Sequence, residues 1–358
     1  MRIVVAMSGG VDSSVAAFQL KNAGHEVIGV TMKTWSKEEC GGEGEKLCCS
    51  LEAVQSARSV AEDFGFPHYV VDYSKGFDQY IKKYFEEEYK KGRTPNPCVL
   101  CNSKLKFGLL IDKAKELGAE RIATGHFARI QKNGEIFFLK EALDEYHDQT
   151  YFLYAIPKEK LEFIEFPLGD YTKEDVRIIA HQNALMPADR KSSQDICFAT
   201  AGGDYRQYLK DRGVKAFSPG NIVDQKGNVL GEHKGIASYT VGQRKGIGVA
   251  RPEPLYVLKI DPANNTVTVG GKDEAMKKRI IVKGLNWFID ESQRKERKCL
   301  VRIRYNGEKI PAKFIPKKVD EVIVEFDEPQ FAPTPGQAAV FYDDKIVLCG
   351  GWIEEVLE

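Results

Sequence analysis

Over the first 125 or so positions the hydrophobic residues alternate between two rhythms. Short apolar runs read as buried strands, and the stretches between them carry helical spacing. Ile3–Met7 predicts a strand, Ser13–Ala23 a helix stopped by Gly24, and Val27–Met32 the next strand. Val54–Phe64 predicts a helix ending at Gly65-Phe66-Pro67, with a strand at Tyr69–Val71. A long helix is expected over Phe77–Lys91, closed by Gly92, followed by the proline-rich loop Thr94–Pro97. A helix over Lys104–Leu117 and a strand at Ile122–Thr124 come next. Repeated β-α units predict an α/β fold, a parallel sheet with helices on both faces.

The rhythm changes after about residue 204. One helix, Tyr205–Asp211, precedes short alternating strands at Asn221–Val223, Leu255–Ile260 and Thr266–Val269. From about 279 the pattern is wholly β: Leu300, Arg302 and Arg304 would share one strand face, with Val301, Ile303 and Tyr305 on the other. Pro311–Ile315, Glu321–Phe326 and Ala338–Val347 continue in that style and suggest a small barrel. Domains are therefore expected at 1–203, 204–278 and 279–358.

A length of 358 residues agrees, since it exceeds one ordinary core. With 42% hydrophobic and 29% charged residues the composition is that of a globular protein, and no apolar run is long enough to span a membrane. Ile3–Met7 runs straight into Ser8-Gly9-Gly10, without the apolar core and cleavage site of a signal peptide, so a cytoplasmic address is expected. Basic and acidic residues balance at 52 each, but not locally. Lys272–Lys318 holds fifteen Lys/Arg against six Asp/Glu, whereas Val319–Glu358 holds one Lys against ten acids. Such a basic segment suits either a solvated surface or a polyanion-binding face.

Ser8-Gly9-Gly10-Val11-Asp12-Ser13-Ser14 lies between the first strand and the first helix, where an open α/β sheet binds ligands. Glycines let backbone N–H groups approach a phosphate, and the helix start adds partial positive charge. The string is neither a Walker loop nor a dinucleotide fingerprint. Taken alone it would also serve as a tight turn with Ser13 or Asp12 as helix cap.

The eight cysteines stand at 40, 48, 49, 98, 101, 197, 299 and 349. In a cytosolic chain of this size they are not a disulfide scaffold. Cys98 and Cys101 sit three positions apart where a loop enters a helix, a setting that lowers a thiol's pKa. Cys197 lies in Ser192-Ser193-Gln194-Asp195-Ile196-Cys197-Phe198. Two distant cysteines that meet in space can divide a sulfur-transfer task, one holding a persulfide and the other resolving it. Cys299 and Cys349 read as small buried hydrophobes, and Cys40, Cys48 and Cys49 lack the spacing of a zinc ribbon.

The glycine-serine string resembles the pyrophosphate loop of the ATP pyrophosphatase superfamily, whose members adenylate an oxygen and release pyrophosphate. Thr94-Pro95-Asn96-Pro97-Cys98-Val99-Leu100-Cys101-Asn102, Ala123-Thr124-Gly125-His126-Phe127-Ala128-Arg129, Asp148–Tyr154, Ser192–Phe198 and Tyr239–Gly248 follow it in order. Together they resemble the bacterial tRNA-specific 2-thiouridylase family nearly end to end. The resemblance implies three parts: an α/β nucleotide-binding domain of the adenine nucleotide alpha-hydrolase kind, a small central domain and a C-terminal β-barrel. It implies ATP with Mg2+, and as substrate the wobble uridine of the lysine, glutamate and glutamine tRNAs. By position, Ala6, Met7, Ser8, Gly9, Gly10, Val11, Asp12 and Ser13 would hold the phosphates, and Met32 and Gly125 would contact the nucleotide. Cys197 would carry the persulfide, fed by a cysteine desulfurase or a relay protein, with Cys101 as its nucleophilic, disulfide-forming partner. Asn96, Pro97 and Cys98 would border the target base; His126, His147, Asp148, Gln149, Arg304, Tyr305 and Gln337 would meet tRNA. Arg304 falls inside the basic segment, and Arg on phosphate with Tyr on a base suits RNA loops.

The chain departs from the family pattern at two positions. His147 replaces a frequent Lys, which makes its charge pH-dependent. Cys98 stands where some members carry Asp, so Cys98, Cys101 and Cys197 together offer three thiolates to an iron–sulfur cluster. No other metal site is expected, and a monomer is the simplest state. Two other functions compete: an amidating ligase, disfavoured because no glutaminase segment is seen, and a redox- or metal-responsive RNA-binding protein with a vestigial loop. The intact Asp12 and Ser13 speak against the latter.

Overall fold

Ile3, Val4 and Val5 are completely buried in the first strand, as their unbroken apolar run requires of a parallel sheet covered on both sides. The computed structural model describes residues 1–35, 51–185, 196–199 and 204–357. They fall into two units, one of Met1–Ile81, Cys98–Ala201 and Lys345–Val347, the other of Lys82–Pro97, Gly202–Asp344 and Leu348–Glu358.

In chain order the elements begin β1 (Arg2–Ala6), α1 (Val11–Asn22), β2 (Glu26–Lys33), α2 (Leu51–Asp63) and β3 (His68–Asp72). Ser74–Phe77, Asp78–Lys82 and Lys83–Lys90 run on as α3; Pro97–Leu100, Cys101–Leu109 and Leu110–Glu116 run on as α4. Then come β4 (Arg121–Thr124), the hairpin β5 (Arg129–Asn133) and β6 (Ile136–Lys140), α5 (Thr150–Leu153), β7 (Ile164–Glu165) and α6 (Lys173–Gln182).

The first unit is built on a parallel sheet of order β3-β2-β1-β4-β7. Val15, Ala16 and Ala17 of α1, Ala57 and Val60 of α2, and Val176 and Ala180 of α6 pack into one core with Ile3 and Val5. Strand order reverses at β1, with β2 on one flank and β4 on the other. The β1–β4 junction is thus the topological switch point, where such sheets open a crevice at their carboxyl ends.

The second unit opens its C-terminal part with α7 (Tyr205–Asp211). The helical stretch Lys83–Lys90 holds α7: Arg212 Nε donates to Glu86 Oε1 at 2.7 Å, and Tyr205 stacks on Tyr89 with ring centroids 5.1 Å apart. A four-stranded sheet follows, of β8 (Gly220–Val223), β9 (Val229–His233), β10 (Tyr256–Asp261) and β11 (Thr266–Gly270), in the order β10-β11-β8-β9. The last six strands are β12 (Met276–Trp287), β13 (Arg297–Arg302), β14 (Ile310–Lys318), β15 (Glu321–Phe331), β16 (Ala338–Asp343) and β17 (Ile346–Leu357). Their order is β12-β15-β14-β13-β16-β17, and a further β12–β17 pairing closes the ring. A closed barrel has no edge to protect. Phe314, Val324, Phe326 and Phe341 are completely buried in its interior.

Four local expectations need correction. The helix expected from Lys104 starts at Pro97, because proline fits the first helical position, where its missing N–H costs nothing. Helix α1 starts at Val11 with Gly10 as N-cap and no side-chain cap bond, so neither Ser13 nor Asp12 caps it. Strand β13 ends at Arg302; Arg304 and Tyr305 lie in the bend and turn beyond it, not on alternate strand faces. The run Ala338–Val347 is two strands, since Asp344 turns the chain at φ 52°. Cys40, Cys48 and Cys49, and Ser192–Asp195 of the Cys197 motif, lie outside the described residues.

Candidate active site

At the carboxyl end of β1 the chain turns through Ser8, Gly9 and Gly10 into α1. Gly9 adopts φ +71°, and a Cβ there would sit 2.1 Å from the Ala53 carbonyl oxygen, so both backbone and neighbour demand glycine. Ser13 Oγ accepts from the Ser8 N–H (3.2 Å) and donates to the Gly10 carbonyl (3.0 Å), and Ser14 Oγ donates to that carbonyl as well (3.0 Å). The buried serines therefore hold the loop's shape, while Ser8 is exposed. The helix start beneath them carries the positive end of the α1 dipole. Gly125, just beyond β4, lies against the first turn of α1: a Cβ there would come within 2.6 Å of the Ser13 nitrogen. Two segments predicted to hold nucleotide thus meet at the switch point.

Asp12 is engaged by a residue the sequence reading missed. Lys173, the first residue of α6 and buried, donates from Nζ to Asp12 Oδ1 at 2.5 Å. Its ammonium also lies over the Phe127 ring, 5.4 Å from the centroid. A buried cation on the phosphate loop's own helix is suited to anionic oxygens. Lys106, equally unforeseen, stands 3.3 Å from His126 Nε2. An ammonium has only donors, so Nε2 accepts and Nδ1–H donates to Thr124 Oγ1 at 2.7 Å. Burial first, then the Lys106 charge, lowers the His126 pKa well below its ordinary value, which keeps the ring neutral.

His126 is therefore an interior residue. Asp148 is 1% exposed, and its carboxylate accepts from Ala142 N (3.0 Å), Thr150 N (3.3 Å) and Thr150 Oγ1 (2.6 Å). Gln149 Oε1 accepts from Phe127 N at 2.9 Å. These two side chains shape the segment after β6, and His147 beside them is left at its surface with a side chain 39% exposed.

Cys98 and Cys101 lie in the opening turns of α4, Cys98 exposed and Cys101 half-buried. From Cys101 to Leu109 the helix widens to π-type spacing and kinks at Phe107 (φ −100°, ψ 15°), a deformation often found at functional positions. Cys101 packs against a small apolar cluster of Phe77, Ile81 and Leu105. Cys197, Phe198 and Met32 pack against that same cluster, with Phe198 edge-on to Phe77 at 5.5 Å. The fold brings together a nucleotide-contact candidate and both candidate sulfur-handling thiols.

In the second unit Gln337 fastens the proline-rich loop, donating from Nε2 to the carbonyls of Thr94 (3.0 Å) and Pro95 (3.3 Å). Thr94 N donates to Pro335 O at 3.0 Å, which fixes the approach to Asn96 and Pro97, both buried. Arg304 Nη2 donates to the carbonyls of Phe331 (3.1 Å) and Ala332 (2.6 Å). A Cβ added at Gly242 of the Tyr239–Gly248 motif would meet Ala332 Cβ at 2.9 Å and Arg304 Nη2 at 3.5 Å.

Three family models match in order: a tRNA methyl transferase HUP domain over residues 1–201, a tRNA methyl transferase PRC-barrel domain over 206–271, and an aminomethyltransferase beta-barrel domain over 277–353. The tRNA-specific 2-thiouridylase MnmA 1 of Caldanaerobacter subterraneus subsp. tengcongensis is 47% identical across 99% of this chain and 98% of its own length. The chain belongs to the tRNA-specific 2-thiouridylase family. Relatives from Thermoanaerobacter sp. (strain X514), 46% identical over 100% of this chain and 99% of theirs, and from Geotalea uraniireducens, 46% over 99% and 96%, carry the same name. The expected architecture, a parallel-sheet nucleotide-binding domain, a central domain and a closed C-terminal barrel, is that of this thiouridylase family.

Against this thiouridylase framework the remaining thiols separate cleanly. Burial pushes Cys299 up to about 12 from an ordinary 9.0 and raises Cys349, sealed in the barrel core, well above 9.0. Among the described residues no three His, Cys, Asp or Glu side chains gather as metal ligands. Cys98, Cys101 and Cys197 do not form such a group among the described residues. No helix among the described residues is long and apolar enough to cross a membrane.

Proposed function

We propose that this chain is an ATP-dependent tRNA-uridine 2-sulfurtransferase acting on the wobble uridine, and that one observation carries the reading. Cys101 and Cys197, ninety-six positions apart, pack with Met32 on one cluster in the unit that holds the phosphate loop. An amidating ligase has no use for such a pair.

The chemistry follows from the residues. The uracil C2 oxygen attacks the α-phosphorus of ATP, pyrophosphate leaves, and C2 then bears an adenylate. Mg2+ arriving with ATP, the α1 dipole and the Lys173 ammonium disperse the charge that develops on pyrophosphate. The terminal sulfur of a Cys197 persulfide attacks C2, and AMP departs with the oxygen. The Cys101 thiolate next attacks Cys197 Sγ and cleaves its S–S bond. Sulfur stays on C2, and a Cys101–Cys197 disulfide remains for an external dithiol to reduce.

Asn96, Pro97 and Cys98 border the base in this reading, and His147, Arg304 and Tyr305 meet the tRNA, with His126, Asp148, Gln149 and Gln337 shaping the segments that do so. The substrates are the lysine, glutamate and glutamine tRNAs, the sulfur comes from a cysteine desulfurase or relay protein, and the enzyme works as a cytoplasmic monomer. Incubating purified protein with unmodified tRNA, ATP and a persulfide donor tests it. AMP should form only with tRNA, and nucleoside mass spectrometry should show 2-thiouridine. An amino group at C2, or AMP release indifferent to tRNA, overturns the proposal.

A further inference from the structure

The segment between β6 and α5 presents its tip to solvent: Tyr146 is 89% exposed, and its ring stands edge-on to His147 at 5.0 Å. Directly beneath, the Asp144 side chain is only 13% exposed and both its oxygens are engaged. Oδ1 accepts from His147 N at 3.2 Å. Oδ2 accepts from His147 Nδ1 at 2.8 Å and also from the backbone N–H of Lys173 at 2.9 Å. Lys173 in turn reaches Asp12 beside the phosphate glycines. The ring of Phe127 lies 5.4 Å from the Lys173 ammonium and 6.0 Å from the His147 ring, filling the space between the two. One carboxylate oxygen therefore ties a surface imidazole to the residue whose ammonium stands at the phosphate loop.

The helix's own capping box does not reach the Lys173 N–H, which Asp144 takes from outside the helix. Thr172 and Asp175 already form a reciprocal capping box: Thr172 Oγ1 accepts from Asp175 N at 3.1 Å, and Asp175 Oδ2 accepts from Thr172 N at 2.8 Å. Asp144 is a second carboxylate at the same helix start. Burial alone would raise its pKa, but the Lys173 N–H and the His147 ring outweigh that and hold it below the ordinary carboxylate range, so it stays charged.

We propose that Asp144 is a positioning residue that couples RNA contact at His147 to the placement of Lys173 at the phosphate loop. This rests on the sulfurtransferase reading and deepens it: the RNA-facing imidazole and the phosphate-facing ammonium share one anchor, so a whole tRNA seated on His147 is adenylated faster than a short RNA that brings only the reacting uridine. A contiguous hydrogen-bonded path of this kind transmits a shift at one end to the other, since Oδ2 cannot follow the imidazole without disturbing the first N–H of α6.

A double-mutant cycle tests the coupling, with the ratio of AMP formation on whole tRNA to that on a trinucleotide carrying the wobble uridine as the readout. His147→Ala and Asp144→Ala are each expected to lower that ratio about tenfold, and the double variant to lower it no further. Asp144→Asn, whose amide oxygen still accepts from the Lys173 N–H and the imidazole N–H and loses only the bond to the His147 backbone N–H, should recover at least half of the wild-type ratio. It also serves where Asp144→Ala folds poorly. Losses that multiply to about a hundredfold in the double variant overturn the coupling. So does an Asp144→Ala or Asp144→Asn protein slowed equally on whole tRNA and on the trinucleotide, the mark of a purely structural role. Wild-type protein that forms AMP indifferently to tRNA would instead bring down the sulfurtransferase reading, and is measured first.

Discussion

Cys101 and Cys197 in the first unit and Cys299 and Cys349 in the second are the same side chain in opposite settings. The first pair is half-buried, set against a small cluster of Phe77, Ile81 and Leu105, with Cys101 in the opening turns of a helix. Cys349 of β17 is buried in the barrel core with Phe314 and Phe341, and half-buried Cys299 of β13 packs against that core. Desolvation there penalises the thiolate, and the Arg297 charge and the Phe314 backbone bond offset it only in part. A cysteine's identity thus says little about its use; access and the cost of its negative charge decide it. The largest test of the contrast is activity. Cys197→Ala and Cys101→Ala should each lower 2-thiouridine formation by roughly a thousandfold or more, because the sulfur carrier or its resolving partner is lost. Cys349→Ala should stay within about twofold of wild type once corrected for folded protein. A Cys197→Ala enzyme that thiolates tRNA normally would abolish the distinction.

Alkylation sharpens the comparison without reference to activity. A thiol near 12 is ionised to only about one part in ten thousand at pH 8, against about a tenth for an ordinary cysteine at 9.0. Cys299 should therefore react with iodoacetamide roughly a thousandfold more slowly than exposed Cys98, with Cys349 slower still. Peptide mass spectrometry over a time course reads both. Equal labelling of Cys98 and Cys299 in folded protein would show that the barrel core is open.

Lys173→Ala separates the activation step from the sulfur step. Loss of the buried ammonium beside Asp12 should slow tRNA-dependent AMP formation about a hundredfold and leave the alkylation order of the cysteines as it was. A change in Cys101 or Cys197 labelling would mean that the two halves of the site are not independent. Lys173 also marks where the sequence stops being legible. The phosphate loop could be read because Ser8 to Ser14 is contiguous and its strand and helix flank it, and the change to β rhythm after residue 204 was visible for the same local reason. The meeting of Cys101 with Cys197 had no such signal; only the family resemblance suggested it, since no spacing rule connects positions ninety-six apart. Lys106, Asp144 and Lys173 carry no local signature at all, because their roles exist only once α4, the loop after β6 and the start of α6 are packed together. Gln337 was singled out, but its hold on the Thr94 and Pro95 carbonyls is a tertiary fact. Arg304 was misplaced on a strand because alternation looked unbroken through Tyr305, while the chain leaves the ladder after Arg302.

The smallest effect is also the most specific to the buried pair. In the unfolded chain Cys299 and Cys349 ionise near their ordinary 9.0, whereas in the folded barrel they keep their protons to much higher pH. Below about pH 9 both states bind these protons, and stability is indifferent to them. From pH 9 upward the unfolded chain releases protons that the folded barrel retains, so the unfolded state is stabilised and stability must fall as pH rises toward 12. The sign is opposite to that of a carboxylate held by ion pairs, whose contribution is lost on the acid side. Urea titrations at pH 8, 9 and 10 should show the midpoint drifting downward. In Cys349→Ala the drift should be shallower even though the midpoint at pH 8 is lower by about 1 kcal/mol of stability, the cost of a small core cavity. A variant whose midpoint falls as steeply as wild type between pH 9 and 10 would show that the thiol at 349 ionises in place. The core would then tolerate a thiolate, and burial would cease to separate the inert cysteines from the working ones.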